Sequence, residues 1–305
     1  MPEPMRGRRF AGIHAVLYAL FDEQERLDRE AMRRQVAACL DSGVNGIVVL
    51  GLATEVTKLT ERERLDVIAW AAEDVAGRVP LGVTVYGNSI LAQLQLLSCA
   101  EAAGADWLIL QPPSVGTYSG SELLHGFGRL ADAASVPVAI QNAPALMGRG
   151  LTPEGIATLT AAHPTITHLK GEMPVVQLRQ VIEACGDRLL VLNGQAGLEM
   201  VDSLRAGCQG FVLAPDMVDH AIRIWHLWRR GDESGAEASY ARLLPEIVFA
   251  MRSLEHLIAY GKRIFALRTG LAAHDRAPCE TLTPFGLECA ARYAAALGPF
   301  GLQSC

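Results

Sequence analysis

Short runs rich in Val, Ile and Leu recur along the first 215 residues, and each is followed by an amphipathic stretch of helical length. The runs predict strands at residues 12–21, 43–51, 79–87, 105–113, 136–144, 166–172, 189–195 and 209–215. Helices are predicted between them at 29–41, 61–76, 89–103, 121–134, 153–162 and 175–184, with Thr60 and Thr152 placed as N-caps. Eight such alternations close an α/β barrel, the (β/α)8 TIM fold, whose working face lies at the C-terminal ends of the strands. An open doubly wound sheet is the structural alternative, but no G-x-G-x-x-G follows the first strand to support a dinucleotide site.

The alternation stops at Asp216. Residues 216–305 read as a C-terminal helical extension, with helices at 217–230, 233–249, 254–269 and 288–297, packed on the barrel of residues 1–215 or on a partner subunit. Trp225 and Trp228 stand at i and i+3 on the first of these helices, a packing spacing. No stretch rich in Pro, Gly or Ser separates the extension as a mobile domain.

Composition narrows the function. Half of the 305 residues are hydrophobic and 20% are charged, enough for a large core. A net charge of -6 offers no basic footprint, so neither nucleic acid nor anionic membrane is an expected partner. No apolar run approaches the roughly 20 residues of a membrane helix. Residues 13–21 run into Asp22-Glu23 without a small-residue cleavage site, so they read as a first strand rather than a signal peptide. The seven cysteines are scattered and include no C-x-x-C pair, which fits reduced thiols in a cytoplasm. The eight histidines show no ligand spacing, so no metal is expected.

Only Lys58, Lys170 and Lys262 among the 27 basic residues are lysine. Arginine stays protonated, whereas a desolvated lysine can attack a carbonyl and form a Schiff base. Lys58 precedes a helix and Lys262 lies within one, so both are expected as solvated charges. Lys170 ends the sixth predicted strand, where a barrel places its chemistry. His168, Lys170 and Glu172 share one strand face, with Lys170 and Glu172 about 7 Å apart along the strand. That face belongs in the barrel mouth, with Lys170 as candidate nucleophile and Glu172 as candidate acid/base. A structural Lys–Glu pair at the rim is the alternative. His168, one layer deeper, is expected as a hydrogen-bonded core residue.

Four motifs now stand in order: Phe21-Asp22-Glu23 after strand one, Gly51-Leu52-Ala53-Thr54-Glu55 with Leu59-Thr60 after strand two, Gln141-Asn142-Ala143-Pro144 at strand five, and Leu169-Lys170 at strand six. This succession resembles the dihydrodipicolinate synthase and N-acetylneuraminate lyase family of class I, Schiff-base aldolases and dehydratases. The resemblance implies a barrel with a helical C-terminal region, a homotetramer or homodimer, no cofactor, and a 2-keto acid such as pyruvate bound through Lys170. It also implies that backbone amides at Gly51, Leu52 and Ala53 receive the keto acid's carboxylate. Glu55 then braces that loop.

The departures are informative. Leu52 and Ala53 replace the family's paired threonines, and Thr54 replaces a glycine. Gln141 stands where the synthases carry a proton-shuttling tyrosine. Val115 falls near the tyrosine that a neighbouring subunit lends, and Leu146 near the arginine that holds the second substrate's carboxylate. Val and Leu can do neither job. The expectation is therefore an enzyme other than a true dihydrodipicolinate synthase, with Arg149 as a partial substitute clamp or a plain surface arginine.

Gln141 with a Lys-x-Glu strand six is similar to the 2-keto-3-deoxy sugar-acid dehydratases of the family, as in 2-keto-3-deoxyarabonate dehydratase. Gln141, Asn193 and Gln195 would receive sugar hydroxyls, with Val212 completing the substrate lining. In this reading Lys170 forms the iminium, Glu172 removes a C3 proton, and the C4 hydroxyl leaves as water. Retro-aldol cleavage or condensation with pyruvate uses the same iminium, and a barrel that binds a keto acid without turnover is the rival from another class.

Overall fold

The computed structural model describes residues 8–301, in which eight parallel strands hydrogen-bond in chain order and the eighth closes on the first. They are β1 (Gly12–Val16), β2 (Gly46–Val49), β3 (Leu81–Val85), β4 (Trp107–Leu110), β5 (Val138–Asn142), β6 (Ile166–Gly171), β7 (Leu190–Asn193) and β8 (Gly210–Leu213). Nearly every strand residue is buried, as a parallel sheet covered on one face by helices and filled on the other requires. The helices that follow are α1 (Arg29–Asp41), α2 (Glu61–Val75), α3 (Ile90–Ala102), α4 (Gly120–Ala133), the short α5 (Pro144–Met147), α6 (Pro153–Ala162), α7 (Val175–Cys185) and α8 (Met200–Ala206). Capping side chains set their starts: Thr60 and Ser119 form reciprocal boxes with Glu63 and Glu122, and Thr152 accepts from Gly155 N.

Each strand is shorter than its apolar run. Residues 17–21 are buried yet lie outside the β1 ladder, because loops and the C-terminal helices cover them. Two helices were not read from the sequence: α5 is a second helix between β5 and β6, and α8 supplies the one helix between β7 and β8.

Alternating strand residues fill the barrel in layers. At the floor, Trp107, His14 and His168 meet, with ring centroids 5.4 Å apart for His14–Trp107 and 5.7 Å for Trp107–His168. Room for this cluster comes from glycines. A Cβ at Gly46 would lie 2.1 Å from His14 Nδ1, and one at Gly82 would lie 2.6 Å from Trp107 Cε2. Phe10 closes the floor from below, its ring edge-on to His168 at 4.8 Å. One layer higher the register pairs Gln141 with Lys170 and Lys170 with Leu192, so these three point into the mouth.

After β8 come α9 (Val218–Arg229), α10 (Glu233–Ala250), the short α11 (Leu254–His256), a π-helical stretch (Leu257–Gly261), α12 (Lys262–Thr269) and α13 (Pro284–Leu297). They pack on the barrel, and one hydrophobic core runs from Phe10 through to Leu297. Polar ties reinforce the contact. Tyr18 donates its hydroxyl to Asp216 at 2.9 Å, and buried Arg268 grips Asp219 at 2.5 Å. Buried in the same region is Glu246, whose carboxyl pKa is pushed well above the ordinary range, first by burial and then by the charge of Asp216. Among the described residues no helix is long and apolar enough to cross a membrane. Cys39, Cys185, Cys208 and Cys289 are buried and Cys99 and Cys279 exposed, all six as free thiols, while Cys305 lies outside the described residues.

Candidate active site

Lys170 and Glu172 emerge together at the C-terminal end of β6. Their side chains are almost fully buried, and Lys170 Nζ lies 3.2 Å from Glu172 Oε2. The same carboxylate oxygen accepts from Gln141 Nε2 at 2.5 Å, and Gln141 Oε1 accepts from Gln111 Nε2 at 2.8 Å. Gln111 is itself anchored through its backbone oxygen, which accepts from Gln93 Nε2 at 2.8 Å. A chain of three buried amides therefore fixes the carboxylate beside the amine.

On its other side Glu172 rests on Gly194. A Cβ at that position would fall 2.5 Å from Glu172 Oε1 and 2.6 Å from Cγ. The loop that carries Gly194 is unusual, because Gln195 and Ala196 take left-handed φ values of 52° and 51° although neither is glycine. This twist brings both residues to the wall of a cavity of about 30 Å³ that also touches Lys170, Glu172, Leu52, Ala53 and Val212.

Not every expected residue joins them. Asn193 is buried but points away from the mouth: the register makes Leu192 the inward residue of β7, and the Asn193 amide donates to Ser203 on α8 at 2.8 Å. It therefore holds a helix and lines no part of the cavity. Gln141 faces the mouth, but its amide is already engaged by Glu172 and Gln111. Arg149 directs its guanidinium toward the backbone oxygens of Ser114 and Val115 at 3.5 and 3.4 Å, not into the cavity. His168 sits in the floor bonded to Thr167 at 2.7 Å, and burial pulls its pKa down to about 3.

The loop after β2 has free donors. Thr54 N and Glu55 N turn back to the oxygens of Gly51 and Leu52, and Thr54 Oγ1 donates to Leu17 O at 2.6 Å. The amides of Gly51, Leu52 and Ala53 donate to no group among the described residues. Leu50, at φ 59°, sets the turn that presents them. Glu55 ties this loop down. Its carboxylate meets Lys58 Nζ at 2.7 Å and, on its other oxygen, the fully buried Lys262 Nζ.

Two expectations about lysines are corrected here. Lys262 is fully buried on α12 and Lys58 is half-buried, so neither is a solvated charge. Burial lowers the Lys262 pKa, and Glu55 counteracts that shift. Sequence reading also missed Gly194, Gln111 and a roof from the C-terminal helices, where Met251, Leu254 and Leu257 line the cavity with Leu146. An apolar helix face carries no mark of which loop it will cover.

A sequence profile of the dihydrodipicolinate synthetase family matches residues 9–283. Among the curated relatives, the 4-hydroxy-tetrahydrodipicolinate synthase of Methanopyrus kandleri is 28% identical, covering 76% of this chain and 78% of its own. The L-2-keto-3-deoxyarabonate dehydratase of Azospirillum brasilense is also 28% identical, over 78% of this chain and 79% of its own. Among solved structures, YagE of Escherichia coli K12, a member of the dihydrodipicolinic acid synthase family crystallised with pyruvate, superposes with a TM-score of 0.87 at 24% identity, covering 94% of this chain and 98% of that one. The extent of the profile match, joined to the closed barrel, establishes that this chain belongs to the dihydrodipicolinate synthetase family.

Proposed function

We propose that this family member is a Schiff-base lyase acting on a 2-keto acid that carries a hydroxyl at C4. Lys170 is the nucleophile and Glu172 the acid/base. The observation that carries this reading is the buried Lys170–Glu172 contact of 3.2 Å at a strand end, with the carboxylate fixed by Gln141 and Gly194.

In its amine form Lys170 adds to the C2 ketone, and loss of water gives an iminium. Glu172 takes one C3 proton, and the electron pair forms the enamine. The enamine expels the C4 hydroxyl, which leaves as water with the proton held by Glu172. Water then adds to C2 and releases Lys170, so the net change is loss of one water to give a 3,4-unsaturated 2-keto acid. The iminium is the electron sink, and these steps call on no cofactor. The free amides of Gly51, Leu52 and Ala53 suit the substrate's C1 carboxylate.

Retro-aldol cleavage is the second reading. Glu172 would take the C4 hydroxyl proton, the C3–C4 bond would break with its electrons going to the enamine, and an aldehyde and pyruvate would leave. Dehydration is favoured because Glu172 stands beside Lys170, within reach of C3, and because one relative bears the name of a keto-deoxy acid dehydratase. The 2-keto-3-deoxy sugar acids implied by the sequence fall within this class, and Gln195 remains at the cavity wall as a polar partner for them.

We further propose that pyruvate and aspartate semialdehyde are not the physiological pair. Several relatives carry the synthase name, so this part rests on Val115, Gln141 and Leu146 alone. Product analysis by mass spectrometry tests the reading: an unsaturated keto acid lighter by one water supports dehydration, pyruvate plus aldehyde supports cleavage, and an unchanged keto acid contradicts both.

A further inference from the structure

The cavity around Lys170 is too small to hold a substrate's distal portion. Its volume is about 30 Å³, room for roughly two water molecules. A much larger groove of about 960 Å³ lies beside it, between the loop after β2 and the C-terminal helices. Leu52 and Leu254 are the two residues that line both spaces, so their side chains form the partition between them.

The chemistry of the groove is one-sided. Val56, Ile258, Ala277 and Pro278 extend the apolar wall begun by Leu52 and Leu254. Acidic groups along it are already matched. Glu55 is held by Lys58 and Lys262, Asp275 by Arg263 at 2.5 Å, and Glu280 by His256 at 2.9 Å. Glu255 alone stands exposed at the rim among the lining carboxylates. On the opposite side of the cavity Leu146 and Met251 are apolar as well. Few groups on these walls are left to receive a run of hydroxyls: Lys58 is held by Glu55, Thr57 and Glu255 stand at the exposed rim, and Gln195 lies at the cavity, while Asn193 faces α8 and Gln141 is committed to Glu172.

We propose that the groove is a subsite for the substituent beyond C4 of the substrate, and that this substituent is apolar, an alkyl or aryl group, reached by displacing Leu52 and Leu254. This rests on the Schiff-base reading above. The keto-acid head stays at Lys170 and the amides of residues 51–53, while the tail leaves water for a wall of hydrocarbon. Hydroxymethyl or carboxylate tails would lose hydration against that wall and find few partners, since Lys58 already holds Glu55. Discrimination by such a wall amounts to roughly tenfold or more per well-buried methylene.

The test compares two 4-hydroxy-2-keto acids that differ at C4, 4-hydroxy-2-oxo-4-phenylbutanoate and 4,5-dihydroxy-2-oxopentanoate. Consumption of each is followed by loss of the starting acid, and the ratio of their kcat/KM values is taken within one protein so that any shared loss cancels. The phenyl acid is expected to lead by about tenfold or more, and Leu254→Asp to lower that lead by a similar factor. Ala277→Glu, at an exposed position on the groove, should move the ratio the same way and covers the case in which Leu254→Asp fails to fold. A parent ratio at or below one, or a ratio unmoved by both substitutions, would overturn the apolar subsite. Failure of pyruvate and borohydride to label Lys170 in the parent would instead overturn the reading beneath it, so the two failures are told apart.

Discussion

The carboxylate of Glu172 lies directly on the backbone of Gly194, close enough that a methyl group at residue 194 would stand 2.5 Å from Oε1. No real Cβ tolerates that approach, so any side chain there must push the carboxylate aside. Positioning of the candidate acid/base thus depends on the absence of an atom. It depends equally on the 2.5 Å hydrogen bond from Gln141 on the neighbouring strand β5.

Gly194→Ala should therefore act on proton transfer more than on imine formation. Turnover should fall by roughly 10²-fold, within the usual contribution of one positioned acid/base, while Lys170 remains trappable with pyruvate. Glu172→Gln should lose roughly 10²–10⁴-fold in turnover and also keep trapping. Single-turnover rates read beside labelling yields separate the two steps. Turnover within a factor of a few of the parent in both variants would make Glu172 a rim residue.

Lys262→Met should weaken both the fold and the carboxylate loop. The substitution leaves one oxygen of buried Glu55 without its cation, and breaking a buried pair costs about 3–5 kcal/mol. Lys58 still holds the other oxygen at 2.7 Å, so the lower end of that range is expected. Because Glu55 closes the turn that presents the amides of residues 51–53, KM for the keto acid should rise more than kcat falls. Denaturant midpoints and steady-state kinetics check the two parts. An unchanged KM would separate Lys262 from the loop.

Stability should fall in mild acid because of the barrel floor. Burial lowers the pKa of His14 to about 4 and that of His168 to about 3. His14 Nε2 donates to Phe10 O at 2.8 Å, which fixes the neutral tautomer. Below about pH 6.5 the unfolded chain takes up protons that the fold refuses. Unfolding free energy then drops by about 1.4 kcal/mol per pH unit for each histidine as pH falls toward 4, and is undiminished above 6.5. The buried carboxyl of Glu246, with its raised pKa, works in the opposite sense above the ordinary carboxylate range. Comparing parent with His168→Gln cancels that common contribution. The variant should show a slope smaller by about one proton, and equal slopes would contradict the assignment.

Much of this was legible in the chain, and what was not has physical reasons. The parity that puts Lys170 and Glu172 on one face depends only on the two-residue repeat of a strand, and the 3.2 Å contact agrees with it. Asn193 and Gln195 share the same parity in the sequence, yet one faces α8 and the other the cavity. The chain leaves the strand between them, and left-handed turns at Gln195 and Ala196 cancel the alternation. Gly194 was silent because a glycine's role is set by what approaches it. Lys262 looked like a solvated helix charge because its partner Glu55 lies 207 residues away. Strands were read too long at their C-terminal ends, since residues 17–21 are apolar for the roof they meet rather than for a ladder.

Aspartate semialdehyde offered with pyruvate should give no efficient condensation. The cavity wall presents Leu146 in place of a carboxylate-binding cation, and Arg149 turns to the backbone of Ser114 and Val115 instead. A coupled assay for the cyclic product checks this. Efficient turnover would show that another group performs the relay.

The most direct measurement of the central claim is reductive trapping. Incubation with pyruvate and borohydride, followed by digestion and mass mapping, should place a stable secondary amine on Lys170 and on no other lysine, because only this lysine stands at a strand end, its amine against the carboxylate that serves it. Lys58 and Lys262 are both committed to Glu55. Label on either of them, or no label on any lysine across several 2-keto acids, would contradict the Schiff-base account.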